Sequence, residues 1–175
     1  MQTHNINLNS KVEGHLFHLA IGNFDGIHLG HQKIINSLVK EAKELNRPSA
    51  ILSFNPHPRQ FFSRELDQYQ ILSEEKKQLI FTELGIDHYF RLKFDELLSN
   101  LSPVDFIKKI IVDQLKVEKL IVGYDFRFGK DRKGDTNLLL DHGKIHGFNL
   151  ETIEQITNPK TKTPYSSTDI RECIR

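Results

Sequence analysis

Two histidines, His28 and His31, stand where an apolar run ends and an amphipathic segment begins, a position suited to binding phosphate. The first four N–H groups of a helix are unpaired and the helix dipole favours an anion there. Residues three apart share one side of a helical turn, so each imidazole could donate a hydrogen bond to phosphate. The glycines that let a polyphosphate approach the backbone are Gly22, Gly26 and Gly30. This segment therefore predicts a site for the phosphates of a nucleotide.

Two other interpretations of this segment stay open. In one, Asn23 and Asp25 are turn and cap residues, the glycines serve loop geometry, and the histidines face solvent. In the other, His28, His31 and Asp25 are zinc ligands. That interpretation is less favoured because the sequence offers no further ligand group.

Three further segments could contact a ligand. Residues 54–62, FNPHPRQFF, leave a predicted strand and offer aromatic and proline surfaces, although such phenylalanines are often core residues. Residues 123–135, GYDFRFGKDRKGD, mix acidic and basic side chains, which suits phosphate with Mg²⁺ or an ordinary solvated loop. Residues 166–168, SST, together with Arg171 could bind phosphates or cap a short terminal helix.

The elements that must position these segments alternate along the chain. Short apolar runs predict buried strands at residues 16–21, 50–54, 89–92 and 120–122. Helical spacing of apolar residues predicts amphipathic helices from the histidine segment to Leu45, from Ser73 to Gly85 and from Ser102 to Leu115. The second helix carries Leu79, Ile80 and Leu84 as apolar residues. This order predicts an α/β fold with a parallel sheet, helices on both faces, and ligands at the carboxyl ends of the strands.

Length and composition limit the classes of protein. The chain has 175 residues, 38% hydrophobic and 27% charged, which predicts one globular domain over residues 1–175. A formal charge of +1 provides no general attraction for nucleic acid or an acidic membrane. The single cysteine, Cys173, excludes an intramolecular disulfide, and no apolar stretch resembles a signal peptide or a membrane span. We therefore expect a soluble, cytoplasmic protein, and the sequence leaves its oligomeric state open.

Four motifs in order resemble one protein family. They are GNFDGIHLGHQ, FNPHP, GYDFRFG and SSTDIR, and together they extend from about Leu16 to Arg171. The first resembles the nucleotidyltransferase superfamily that carries the HxGH motif, and the set resembles the FMN adenylyltransferase module of bacterial bifunctional riboflavin kinase/FAD synthetase. The resemblance implies a Rossmann-like, nucleotidyltransferase-type fold and direct in-line transfer of AMP from ATP to FMN, giving FAD and pyrophosphate with Mg²⁺. It also implies that the riboflavin kinase domain is absent from this chain.

The resemblance also implies a role for each motif residue. Catalytic roles fall to His28, His31, Asn23 and Arg171. The implied ATP-binding residues are Gly22, Phe24, Asp25, Gly30, Gly123, Ser166, Ser167 and Thr168. The implied FMN-binding residues are Phe54, Asn55, Pro56, His57, Pro58, Phe62, Asp125, Phe126, Arg127 and Phe128, and Asp125 is also the candidate Mg²⁺ ligand.

One departure and three alternatives accompany this assignment. Arg59 and Gln60 follow the PHP segment, where the family pattern often has an acidic residue. The alternatives are an HxGH nucleotidyltransferase for another phosphate acceptor, such as pantetheine phosphate or nicotinate mononucleotide, and a flavin- or nucleotide-binding module without catalysis. A class I synthetase-like domain is disfavoured because the chain has no KMSKS loop.

Overall fold

The computed structural model describes residues 1–14, 16–63, 70–157, 165, 167, 170 and 171. In this part of the chain six parallel strands form one sheet in the order β1-β4-β3-β2-β5-β6. The strands are β1 (Gln2–Ile6), β2 (Phe17–Ile21), β3 (Ser49–Asn55), β4 (His88–Lys93), β5 (Val117–Gly123) and β6 (Asn149–Ile153). The four predicted strands are confirmed as β2 to β5, and the two edge strands were not predicted.

The helices are α1 (Leu29–Glu44), α2 (Pro58–Phe62), α3 (Glu74–Glu83), α4 (Glu96–Ser99), α5 (Pro103–Phe106), which continues as a π-helix (Ile107–Gln114), and α6 (Thr136–His146). The three predicted helices are confirmed as α1, α3 and the pair formed by α5 and its π-helical continuation, and three further α-helices were not predicted. Ser73 and Ser102 cap α3 and α5 by accepting N–H groups at the third following residue, as their types predict. No helix in this described part is long and apolar enough to cross a bilayer.

The helices cover both faces of the sheet, as predicted. Helices α1 and α3 pack on one face, where the buried cluster includes Ile35, Leu38 and Phe81 with Ala20, Ile51 and Tyr89. The π-helix and α6 pack on the other, where the cluster includes Ile107, Ile110 and Leu139 with Leu19, Leu52 and Leu120. One expectation for α3 is wrong: Leu79 is exposed, and the residues that this helix buries are Lys77 and Phe81.

The strand order places a crevice at the carboxyl ends of β2 and β5. From β2 the chain moves outward through β3 and β4, then crosses back to pair β5 with the other side of β2. In open parallel sheets, ligands bind outside the carboxyl ends of the strands at such a reversal. The loop after β2 carries the histidine segment and the loop after β5 carries Asp125, so the topology brings two of the predicted ligand loops together.

A chain of buried polar groups links β3, β4 and α3. The hydroxyls of Ser53 and Tyr89 lie 2.7 Å apart, and the Tyr89 hydroxyl donates to Glu74 Oε2 at 3.0 Å. Burial is the main cause that raises the pKa of Tyr89 far above its ordinary value, so the phenol keeps its proton. These bonds hold the start of α3 against the sheet.

Tyr89→Phe should lower the free energy of unfolding by about 1–2 kcal/mol, because it leaves the buried Ser53 hydroxyl without its partner and removes one of the two donors to Glu74 Oε2. Adding Ser53→Ala should recover part of the loss, since removing both members of a buried pair costs less than removing one. Urea denaturation of the two variants checks this. Equal stability of Tyr89→Phe and the parent chain would contradict it.

Candidate active site

The two histidines form a stacked pair at the start of α1. His28 is the N-cap, and its Nδ1 accepts the backbone N–H of His31 at 3.4 Å. The ring centroids are 3.7 Å apart with an interplanar angle of 22°. The expected placement of both imidazoles on one side of the turn is confirmed. Because Nδ1 of His28 accepts, the proton of the neutral ring lies on Nε2, where it can be donated.

His31 is a neutral group in the folded protein. Its pKa falls to about 3, first because burial disfavours the imidazolium and then because of the nearby charges of His28 and Lys77. His31 Nδ1 and Asn23 Oδ1 are buried, and neither has a hydrogen-bond partner among the described residues. Buried polar atoms are almost always paired, so two such atoms at one helix start indicate groups that pair with a ligand.

The packing of Phe24 holds the histidine pair in place. Phe24 is 1% exposed, and its ring centroid lies 5.2 Å from that of His31 and 5.9 Å from that of Phe81. The implied nucleotide contact of Phe24 therefore does not fall on an open aromatic face, and its side chain supports His31 instead. At Gly30 an added Cβ would lie 3.0 Å from the ring of His28, so glycine keeps room for the N-cap imidazole.

Asp25 joins three segments that are distant in the sequence. Its buried carboxylate accepts the backbone N–H groups of Ile71 at 2.9 Å and Leu72 at 3.4 Å, and forms an ion pair with Arg171. Its backbone carbonyl accepts the Ser167 hydroxyl. The structure thus places Arg171 and Ser167 beside the histidine loop. The other two residues of the SST run, Ser166 and Thr168, lie outside the described residues.

The predicted flavin segment, residues 54–62, contains a buried histidine. His57 is the N-cap of α2, and its Nδ1 accepts the N–H of Arg59 at 3.1 Å. Its pKa falls to about 4, mainly because burial disfavours the charged ring, while the nearby Asp25 carboxylate acts in the opposite direction. The Asn55–Pro56 peptide bond is cis, and Pro58 begins α2. A neutral His57 therefore lies within the electrostatic reach of Asp25.

Aromatic rings form an exposed cluster beside this histidine. Phe61 and Phe62 are 38% and 69% exposed, and their centroids lie 5.2 and 5.9 Å from that of Phe94. Phe54 is half-buried and packs on Phe94 from the sheet, with 5.9 Å between centroids. The interpretation of these residues as ordinary core residues is therefore wrong for Phe61 and Phe62. Phe94 was missed, and the signal for it was its position directly after β4 at the same edge of the sheet.

The loop after β5 divides into packed and exposed residues. Phe128 is 5% exposed and packs on Phe106, while Phe126 stacks on it at 5.6 Å between centroids. Arg127 is engaged with Asp135 at 3.6 Å. The carboxylate of Asp125 is exposed and lies close to Gly123 at the end of β5.

Metal ligands are sparse in the described ranges. No group of three His, Cys, Asp or Glu side chains that could hold a metal ion occurs among the described residues. A zinc site made of His28, His31 and Asp25 is therefore not formed, because the Asp25 carboxylate binds N–H groups and Arg171 instead.

Solved structures share this fold. A Streptococcus pneumoniae protein described as a macrolide-efflux protein matches with a TM-score of 0.86 and 22% identity over 99% of this chain and 56% of its own. A pantoate-beta-alanine ligase from Francisella tularensis, in complex with beta-gamma ATP and beta-alanine, matches with a TM-score of 0.62 and 17% identity over 97% and 72% of the two chains. At these identities the likeness concerns the fold alone.

Curated relatives share the sequence as well. A bifunctional riboflavin kinase/FMN adenylyltransferase from Buchnera aphidicola subsp. Schizaphis graminum is 36% identical over 97% of this chain and 52% of its own length. The protein of the same name from Pseudomonas fluorescens is 38% identical over 89% and 49%. The chain thus spans about half the length of these relatives. The model of the FAD synthetase family matches residues 11–169, which contain the histidine pair, the aromatic cluster and the loop after β5, and the chain therefore belongs to that family.

Proposed function

We propose that this chain transfers the adenylyl group of ATP to the phosphate of FMN, giving FAD and pyrophosphate. Family membership supports this activity. The observation that carries it is the stacked His28–His31 pair, where buried atoms of His31 and Asn23 lack partners in the described chain. The exposed rings of Phe61 and Phe62 at the same edge of the sheet suit the flat isoalloxazine ring.

The reaction is a direct in-line displacement. A phosphate oxygen of FMN attacks the α-phosphorus of ATP, the new P–O bond forms, and the bond from that phosphorus to the bridging oxygen breaks. The electron pair leaves with pyrophosphate. A phosphate monoester has a second pKa near ~6, so the nucleophile is mostly dianionic at neutral pH and needs no general base. Catalysis then depends on positioning and on stabilising charge.

The two histidines act as hydrogen-bond donors in this reaction. His28 donates from Nε2, because its Nδ1 is occupied by the N–H of His31. His31 donates from one ring nitrogen to the same phosphate chain, and the unpaired N–H groups at the start of α1 bind the anion beside it. Asn23 orients a phosphate oxygen through its amide, and Arg171 stabilises the departing pyrophosphate.

Asp125 fits the chemistry of a Mg²⁺ ligand. Mg²⁺ is commonly held by one or two carboxylates together with substrate phosphates and water, and Asp125 offers an exposed carboxylate at the carboxyl end of β5. When bound, the ion would neutralise charge on the phosphates of ATP. Asp125 would hold the ion from the loop after β5, the strand that pairs with β2, which precedes the histidine loop.

The flavin side of the site is mostly apolar. Phe62 offers the most exposed ring, and Phe61 and Phe94 hold it by edge contacts. His57 remains neutral beside them, so it adds a hydrogen-bonding group without adding charge. Aromatic pairs of this kind bind a flat ligand at a small entropic cost, because they are already packed against each other.

Incubation of the purified chain with ATP, Mg²⁺ and FMN should give FAD and pyrophosphate in equal amounts, because one P–O bond forms for each that breaks. Chromatography of the flavins with a pyrophosphate assay measures both products. Riboflavin in place of FMN is the matched control, since it lacks the attacking phosphate, and it should give no FAD. Tight binding of ATP or FMN without pyrophosphate release would instead support a binding module. Release of pyrophosphate only with pantetheine phosphate or nicotinate mononucleotide would identify another acceptor.

His31→Ala should lower kcat by at least ~10²-fold, because it removes one preorganised donor to the transferring phosphates. Circular dichroism should show a retained fold, since the change lies at a helix start. His146→Ala, at an exposed position near the end of α6, is the control and should keep full activity. Near-normal turnover of His31→Ala would refute its assigned role.

The pH dependence should follow the phosphate rather than His31. With a pKa of about 3, His31 binds no proton between pH 8 and 5, so activity should decline only as the FMN phosphate is protonated near pH ~6.

The unfolded chain binds a proton at His31 below about pH 6.5, so the free energy of unfolding should also fall as the pH drops below that value. Histidine NMR titration of the folded chain measures the pKa directly. A value between 6 and 7 for His31 would contradict the prediction.

A further inference from the structure

Helix α3 carries a buried lysine whose charge the proposed reaction has not used. Lys77 is 2% exposed, and its Nζ lies 3.1 Å from Glu74 Oε1. Glu74 Oε2 is also shared by the Tyr89 hydroxyl and by Arg91 Nε, at 3.0 and 3.2 Å. The Glu74 carboxylate therefore pairs with both Lys77 and Arg91, and Arg91 also interacts with the exposed carboxylate of Glu75. Lys77 is the most buried of these charged side chains.

The ammonium of Lys77 has further hydrogen-bonding capacity. A lysine ammonium has three N–H donors, and among the described residues Lys77 has Glu74 as its one partner. A buried ammonium that is only partly satisfied is costly, and an anion near it repays that cost. The Lys77 ammonium of the ligand-free protein thus has the chemistry of an anion-binding group.

The docking of α3 places Lys77 next to the histidine loop. Just before α3, the N–H groups of Ile71 and Leu72 are held by Asp25 of that loop. One turn after Lys77, on the same buried face, Phe81 packs on Phe24, and the ring of Phe24 contacts His31. Lys77 lies between these two contacts along α3.

Electrostatic effects agree with this placement. The charge of Lys77 contributes to lowering the pKa of His31 and also that of His57. Lys77 is therefore close to both the predicted phosphate-binding ring and the histidine of the flavin segment. These two imidazoles are neutral, and the charge of Arg171 is balanced by Asp25. Lys77, in contrast, shares its one carboxylate partner among the described residues, Glu74, with Arg91.

We propose that Lys77 is a further binding residue of the nucleotide site, and that its ammonium supplies positive charge for the polyphosphate of ATP that the neutral ring of His31 does not. This inference rests on the proposed function, since it takes ATP as the nucleotide. A purely structural role for Lys77, as the partner of Glu74, makes a different prediction. Glu74 keeps Arg91 and Tyr89 as partners when Lys77 is replaced, so the loss of Lys77 leaves no buried carboxylate unpaired.

Titration calorimetry of the full chain with Mg²⁺-ATP, and separately with FMN, tests the proposal. Lys77→Met, which removes the charge but keeps the length of the side chain, should raise the Kd for ATP at least about tenfold. The Kd for FMN should change less than about twofold, and the melting temperature should stay within a few degrees, because Glu74 keeps Arg91 and Tyr89 as partners. Lys77→Arg should keep the ATP affinity within about threefold.

Lys76→Met is the matched control, because it removes one lysine charge from an exposed neighbouring position of α3 and should leave both affinities unchanged. Equal ATP affinity of Lys77→Met and the parent chain would overturn the proposal. If Lys77→Met does not fold, Lys77→Gln keeps a donor for Glu74 without the charge and is judged by the same affinities. A parent chain that binds no ATP would overturn the proposed function itself, whereas FAD synthesis by the parent with normal ATP binding by the variant would overturn this inference alone.

Discussion

The arrangement of the site depends on one buried carboxylate. Asp25 accepts hydrogen bonds from the backbone before α3 and pairs with Arg171 near the end of the described chain. Arg171 is 14% exposed and Asp25 is buried, so this ion pair lies largely out of water. The histidine loop, α3 and the terminal motif therefore hold their positions through a single charged group.

Asp25 and the other polar residues of the histidine loop have different roles. A carboxylate with both oxygens occupied by protein groups organises the loop, and the groups left for a ligand are the imidazoles, the amide of Asn23 and the start of α1. Burial keeps His31 neutral. In the proposed function, His31 then contributes a neutral hydrogen-bonding group and Lys77 of α3 contributes a positive charge, so nucleotide binding depends on the packing of that helix.

The sequence predicted the parts of the fold that have a local signal. Strands β2 to β5 are buried runs, and α3 and α5 begin at serine caps that the residue types indicate. The edge strands carry no such signal. In β1 only Ile6 is buried, and in β6 every residue is half-buried or exposed. Each of these edge strands pairs with a neighbouring strand on one side only. In α6 two apolar residues, Leu140 and Ile145, are exposed, which obscures the helical period.

The site shows the same division between local and long-range information. The HxGH spacing indicated the histidine pair, because two residues one turn apart at a helix start meet by geometry. The backbone partners of Asp25 have no sequence signature, since backbone N–H groups such as those of residues 71 and 72 are common to most residue types. Lys77 did carry a signal: a lysine stands one turn before the buried Phe81, on the face that should be apolar. A charged residue on the apolar face of a helix indicates a functional site, because burying a charge has a free-energy cost that packing alone does not offset.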